Sequence, residues 1–288
     1  MRNTLKPIKT NQQLDYWFTV IIPVKDDQRI KNLIFALKSQ PNFIFIQVLI
    51  IFNGAKPDFI HEIKNQLRNI PNAKTILLKM PSIPHAINVG IISSVSEKVV
   101  ILDSDCLPSK NYLASMNLAL NKNLIVNGQI CFVGNNWFAK LTAKLRNHIF
   151  NVTPKLFYAP NVGFQKKIFN DCGYFNETLK YGFDSEFGTR LDIKKYHIRY
   201  NYEAMAFHEC HTKIIEELRI WQHYGKGRAY RYFSGSFGNK SISTFIKALT
   251  TPQVFYLQEG IIYNLFAFSY LVIRNLSFIK ALISKKYG

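Results

Sequence analysis

Two aspartates one residue apart, Asp103 and Asp105, are the strongest chemical signal in the chain. Carboxylates at i and i+2 offer oxygen ligands to a hard divalent cation, and Mg2+ or Mn2+ is commonly shared between one or two carboxylates and substrate phosphates. The spacing alone decides little. Nine aspartates spread over 288 residues give roughly 0.3 such pairs by chance. The preceding residues carry the reading: Val99-Val100-Ile101-Leu102 is an apolar run that reads as a buried strand ending on the pair. Without that run, solvated surface carboxylates would be the better interpretation. A second acidic pair, Asp184 and Glu186, stands in Gly-Phe-Asp-Ser-Glu-Phe, where an aspartate also suits a helix N-cap. His208 and His211 follow another apolar run, and neutral imidazole binds metals readily. The plain alternative is one histidine in the core and the other in solvent. Lys226 and Arg228, in Gly-Lys-Gly-Arg, could close over a diphosphate or lie on a solvated basic helix.

These residues need elements to position them. FTVIIPV at 18–24, IQVLIIF at 46–52, KTILLK at 74–79 and KVVIL at 98–102 read as strands. Helical patterns fall near 28–40, 57–69 and 84–95. Strands alternating with helices predict an open sheet with parallel strands and crossover helices. Ligands of such sheets bind beyond the carboxyl ends of the strands. Pro23 to Asp27, Asn53-Gly54 and Asp103 to Asp105 all fall there, so three polar clusters should meet in one crevice. Further on, the pattern predicts a helix over 110–120 and a strand near 124–133. A basic, aromatic stretch fills 136–170, and 171–176 reads as a turn. A helix should start near Asp184, a strand run over 198–207, and a helix cover 214–232.

In this order the motifs resemble the family 2 glycosyltransferases, whose nucleotide-diphospho-sugar transferase fold is of the GT-A type. The resemblance covers residues 18–232. FTVIIPVKDD is similar to the family's opening strand and turn, LIIFNGAKPD to its second strand, and PHAINVGI to its Ala-Leu-Asn-x-Gly element. LDSDC resembles its metal-binding DxD. NVGFQKKIFNDCGYFNETLKYGFDSEFGTRL resembles its acceptor-side stretch with the catalytic carboxylate, and WQHYGKGRAYR a basic segment that follows.

The resemblance implies an α/β, Rossmann-like open mixed sheet flanked by helices, with a C-terminal helical apolar appendage. Residues 16–235 would form the catalytic domain and 236–288 a membrane-associating or packing segment. Asp103, Asp105 and His208 would hold Mn2+ or Mg2+. Pro23, Val24, Asp26, Asn53, Asn88, Ser104, Lys226 and Arg228 would contact the nucleotide-sugar donor. Asp184 would be the general base, with Glu186 the runner-up, and Asn161, Gly163 and Gly182 would line the acceptor side. The activity implied is inverting transfer of a single sugar to a hydroxyl of a lipid-linked or surface-polysaccharide acceptor. Two departures bear on this. Phe183 stands where the family has an acidic residue before its catalytic aspartate, and Asn53 follows Phe52 where the family commonly has aspartates. The Gln-x-x-Arg-Trp motif of processive members is absent, which favours single-sugar transfer. Phe183 also makes a catalytically inactive member conceivable. A nucleotidyltransferase would want a Gly-rich basic loop after the first strand, where Pro-Val-Lys-Asp-Asp stands instead.

The composition sets the partners. Lys and Arg outnumber Asp and Glu by 37 to 18, a net charge of +19. A charge this size implies an anionic partner, unless it reflects drift toward Lys, Asn and Ile. No nucleic-acid-binding motif accompanies it. With 14% aromatics, it points to an anionic membrane surface or a lipid-linked acceptor. The four cysteines form no CxxC pair, as expected of free thiols in a reducing cytoplasm. The N-terminus reads as lacking a signal peptide. At the other end, IIYNLFAFSYLVI at 261–273 is short for a span of roughly 20 residues. Helices lying in a membrane interface, flanked by Arg274, Lys280, Lys285 and Lys286, fit better than a crossing, and a packed helix pair is the alternative. The expected location is cytoplasmic and peripheral, at the inner face of the membrane; the oligomeric state is not readable.

Overall fold

The structure, a computed structural model, describes residues 16–152, 157, 159–233, 241–250, 255 and 257–284. The first half alternates β1 (Phe18–Val24), α1 (Ile30–Lys38), β2 (Ile46–Asn53), α2 (Pro57–Leu67), β3 (Ala73–Leu78), α3 (Ile83–Ser93) and β4 (Lys98–Leu102). β1 pairs in parallel with both β2 and β4, and β2 with β3. β1 and β2 are covered on both faces, which is why they are almost continuously apolar. Gly90 lets α3 lie tightly on the sheet: a Cβ there would stand 2.4 Å from Ile21 Cγ2.

The second half adds β5 (Cys106–Pro108), α4 (Tyr112–Lys122), β6 (Ile125–Val133), α5 (Trp137–Val152), β7 (Asn161–Gln165), α6 (Lys167–Cys172), α7 (Phe183–Ile193), β8 (Arg199–Glu209), α8 (Ile214–Phe233), α9 (Ile242–Leu249) and α10 (Gly260–Ser284). The sheet has eight strands in the order β3-β2-β1-β4-β7-β6-β8-β5 and is mixed, since β7 runs antiparallel to β4 and β6. The order reverses between β1 and β4. Ligands of open α/β sheets bind at such a switch point. One core lies between α1, α2, α4 and the sheet, and a second, rich in phenylalanine, lies under α3, α6 and α7.

Three elements depart from the sequence reading. The stretch 136–170 contains a helix, α5, and a buried strand, β7. β5 is a three-residue strand directly after the Asp103–Asp105 turn. β8 runs on to Glu209, so His208 sits within a strand and not after it.

α10 is 25 residues long and lies along α8. It is long and apolar enough to cross a membrane, a property it shares with core helices. Tyr263, Ala267, Tyr270, Arg274, Phe278 and Ala281 form its buried face. Ile261, Leu265, Phe268, Leu276 and Ile283 are exposed on the other side. Arg274 therefore does not flank the apolar stretch as an outward cation, as the sequence suggested. Its guanidinium turns inward to cap α9, donating to Leu249 O at 2.7 Å, and the exposed side continues past it.

Candidate active site

The site is built where β1 and β4 end. Asp103 leaves β4 with its backbone N–H donated to Pro160 O at 3.2 Å. Its carbonyl accepts from Cys106 N–H at 3.0 Å, closing the turn that carries Ser104 and Asp105. β5 then pairs antiparallel with β8 and sets Cys106 opposite His208. That pairing brings the His208 ring to the DxD turn, with Nε2 3.4 Å from Asp105 Oδ1. The ligand atoms of Asp105, Cys106 and His208 all lie within 4.8 Å of one another. Asp184 comes from the other half of the chain, in the first turn of α7.

Electrostatics tie these groups together. Burial, and then the carboxylates of Asp105, Asp184 and Asp27, push the Asp103 carboxyl up to about 8. Three carboxylates thus act on Asp103, and Arg29 bridges two of them: its Nη2 lies 2.7 Å from Asp27 and 3.1 Å from Asp105. Burial works against ionisation of Asp27, but the hydrogen bonds and charge of Arg29 outweigh it and hold that carboxyl below its ordinary value. Burial also lowers the His208 imidazole, opposed by Asp105, which favours the neutral ring that binds metals. The Cys106 thiol is raised well above its usual range by burial and by Asp103 and Asp105, so it stays protonated. Carboxylate oxygens with a neutral imidazole suit a divalent cation such as Mn2+. At Asp184, burial raises the carboxyl, while the Ser185 N–H at 2.7 Å and the Arg231 charge pull it part of the way back.

No protein-family model and no curated protein matches the chain by sequence. Solved structures do match in three dimensions. The mannosyltransferase PcManGT from Pyrobaculum calidifontis, in complex with GDP-Man and Mn2+, superposes with a TM-score of 0.63 and 16% identity. That match covers 95% of this chain and 90% of the other. GalNAc-T7 with UDP, GalNAc and Mn2+ matches at a TM-score of 0.56 and 10% identity, over 68% of this chain and 43% of its own. The fold is that of the GT-A type glycosyltransferases.

Within this GT-A fold the other residues singled out from sequence divide clearly. Pro23 and Val24 end β1 beside the switch point. Asp26 and Asn53 order the loops at the strand ends: Asp26 Oδ1 accepts from Lys56 N–H at 2.8 Å and Asn53 Oδ1 from Ser82 N–H at 2.7 Å. Asp26 also lines an open depression of about 470 Å³ with Gln28, Lys56, Asp58, Phe59 and Glu62. Asn88 is spent on a tether. Its amide donates to Phe175 O and Glu177 and accepts from Phe175 N–H, fastening α3 to the loop before α7.

Asn161 does not line an acceptor surface. It is fully buried, accepts from Tyr112 Oη at 2.7 Å and donates to Gln129 O and Ala204 O, clasping the sheet across β7. Gly163 is a packing position, since a Cβ there would stand 2.9 Å from Leu120 Cδ1. Glu186 is paired bidentately with Nε and Nη2 of Arg190; Nη2 also donates to Tyr174 O, and Nη1 donates to Cys172 O. That set organises the loop into α7 and leaves Asp184 as the carboxylate facing the DxD. Gly182 sits at φ +73°, where glycine is favoured, and starts α7. Phe183 packs edge-on against Phe175, so the aromatic at the departure from the family pattern belongs to the second core.

On α8, Arg228 faces away from the site. It donates to Thr250 O, and burial together with Arg274 lowers it to about 9. Lys226 lies over the Tyr181 ring. Arg231, in the same basic motif, is the cation that reaches Asp184. His211 accompanies Glu216 at 3.2 Å and is not among the clustered metal-ligating groups. The sequence reading took Asp27 only as the end of a polar cluster after the first strand, and passed over Arg29 and Arg231. Asp27 and Arg29 carried a signal, an acid and a base two residues apart at the end of β1. Nothing local distinguished Arg231 from Arg228.

Proposed function

We propose that the protein is a metal-dependent glycosyltransferase moving one sugar from a nucleotide-diphosphate sugar to a hydroxyl of a glycan or lipid-linked acceptor, with inversion at the sugar carbon. The observation that carries this is the convergence of Asp103, Asp105 and Asp184 at the β1/β4 switch point, close enough that each raises the proton affinity of Asp103 or shares its surroundings. Structural neighbours solved with Mn2+ and a nucleotide or nucleotide sugar support the same reading.

Asp103, Asp105 and His208 would hold the cation, and the like-charged carboxylates crowded around Asp103 give the site a reason to bind one. A divalent cation there would offset the negative charge gathering on the departing diphosphate, a contribution of several kcal/mol. The loops ordered by Asp26 and Asn53 would receive the nucleoside. Asp184 would take the proton of the acceptor hydroxyl. Its burial makes it a stronger base than a solvated carboxylate, and Arg231 keeps it ionised. Asn88, Asn161, Glu186 and the glycines position these groups without touching substrate. The exposed apolar side of α10 and the positive charge would hold the enzyme against an anionic membrane surface.

The test is a thermal-shift panel of UDP-, GDP- and dTDP-sugars with and without Mn2+. At least one pair should raise the melting temperature together, and neither component alone should match it. A flat panel with every nucleotide would reject the reading.

A further inference from the structure

Directly before Gly182 stand Lys180 and Tyr181, and α8 brings His223 and Lys226 against them. The Tyr181 and His223 rings stack with centroids 3.7 Å apart and planes within 15°. Lys180 Nζ and Lys226 Nζ lie 5.6 and 5.9 Å from the Tyr181 centroid. Two ammonium groups from separate elements are therefore gathered around one ring. Among the described residues, the lysines that pair with carboxylates are Lys31, Lys144, Lys194 and Lys213; Lys180 and Lys226 form no such pair, nor does Arg219. His223 experiences the same field. Burial first, and then Lys226, Lys180 and Arg219, lower it to about 4, so the ring adds no charge of its own.

A cation over a half-buried aromatic ring gains about 0.5–2 kcal/mol. That is too little to account for gathering like charges where no acid offsets them. An anion would complete the arrangement. The place also matters. Tyr181 adjoins Gly182, the start of α7, whose first turn carries Asp184. Gly182 and Gly227 touch backbone to backbone, so a Cβ on Gly182 would stand 2.9 Å from Gly227 Cα. The cluster and the proposed base are thus fixed to one another through α7 and α8.

We propose that Lys180, Lys226 and Arg219, arranged around the Tyr181–His223 stack, bind a phosphate carried by the acceptor. This names the acceptor class and rests on the glycosyltransferase reading for the word acceptor; the phosphate site itself does not depend on it. The phosphate could belong to a sugar phosphate or to an alkyl phosphate, and the recognition chemistry is the same for both.

Calorimetric titration at low salt separates these sources, with octyl phosphate against octanol and glucose 1-phosphate against glucose. At least one phosphate should bind about tenfold more tightly than its neutral counterpart, and Lys180→Ala/Arg219→Ala should weaken it about tenfold. The thermal shift of the double variant with Mn2+ and nucleotide should match that of wild type. The proposal is overturned if neither phosphate outbinds its counterpart, or if the variant binds as wild type does. It is equally overturned if the variant loses its nucleotide-Mn2+ shift in proportion, because the cluster would then serve the donor. Phosphate preference in a protein that no nucleotide stabilises would uphold the site and reject the glycosyltransferase reading.

Discussion

Asp103 and Asp184 are both half-buried carboxylates raised by loss of solvent, yet their neighbours give them different tasks. Asp103 is raised further by three other carboxylates, whereas Asp184 has a backbone N–H and Arg231 to favour its charge. Asp184→Asn should therefore lower kcat by about 10²- to 10⁴-fold while leaving the nucleotide-Mn2+ thermal shift in place. Arg231→Gln should move the acid limb of the pH–rate profile upward, since the base loses the cation that keeps it ionised; an unmoved limb would separate Arg231 from the base. The Asp103 shift also has a consequence for stability. Its folded value of about 8 lies above the ordinary carboxyl value of 3.8, so between these the native state binds more protons than the unfolded one. Metal-free protein should lose stability as pH rises through that window, and Asp103→Asn should flatten this part of the curve in a thermal melt series. At this scale the placement of Asp103 and Asp105 after a strand and of Asp184 in the first turn of a helix was legible, because each follows or begins a recognisable element. The internal tethering of Asn161 and Asn88 was not legible for the opposite reason: a buried amide saturated by distant groups looks the same in sequence as one aimed at a ligand.

Helix α8 shows what elements add. Gly225 and Gly227 straddle Lys226 and serve two different contacts. A Cβ on Gly225 would stand 2.3 Å from Arg274 O on α10, and one on Gly227 would stand 3.1 Å from Gly182 Cα at the start of α7. Gly225→Ala should destabilise the fold by about 1–3 kcal/mol, measured by denaturant unfolding. Alanine gains about 1 kcal/mol of helix propensity, but a backbone carbonyl cannot move aside as a side chain can. The strands and helices up to β4 were readable from their periodicity, and so was their parallel pairing. β5 and β7 were not. β5 is too short to show a period, and β7 contains Asn161 and Gly163, residues disfavoured in strands that are kept here by cross-sheet hydrogen bonds and by the space beside Leu120. The glycines of α8 read as part of a basic segment, because their partners on α7 and α10 lie far away in the chain.

The whole molecule joins an acidic crevice, a strongly basic remainder and an apolar flank. α5 is locked to α8 by the buried Arg146–Glu217 pair at 2.7 Å, with the Trp221 indole donating to the same carboxylate. Glu217→Ala should cost about 3–5 kcal/mol, since it strands a buried guanidinium, and unfolding midpoints would register it. The net charge and the apolar tail were plain in sequence, but the direction in which Arg274 points was not. Its inward turn leaves Ile261, Leu265, Phe268, Leu276 and Ile283 as an exposed apolar run on α10, with the exposed Lys280 beside its C-terminal end, and the protein should sediment with anionic vesicles, less so as salt rises. Recovery in the supernatant at low salt would remove the membrane from the account. The central claim is tested most directly by nucleoside-diphosphate release from a panel of nucleotide sugars with Mn2+, comparing wild type with a folded Asp103→Ala variant. The account predicts metal-dependent release by wild type and its loss in the variant. Equal release by both, or none from any sugar by wild type, would contradict it.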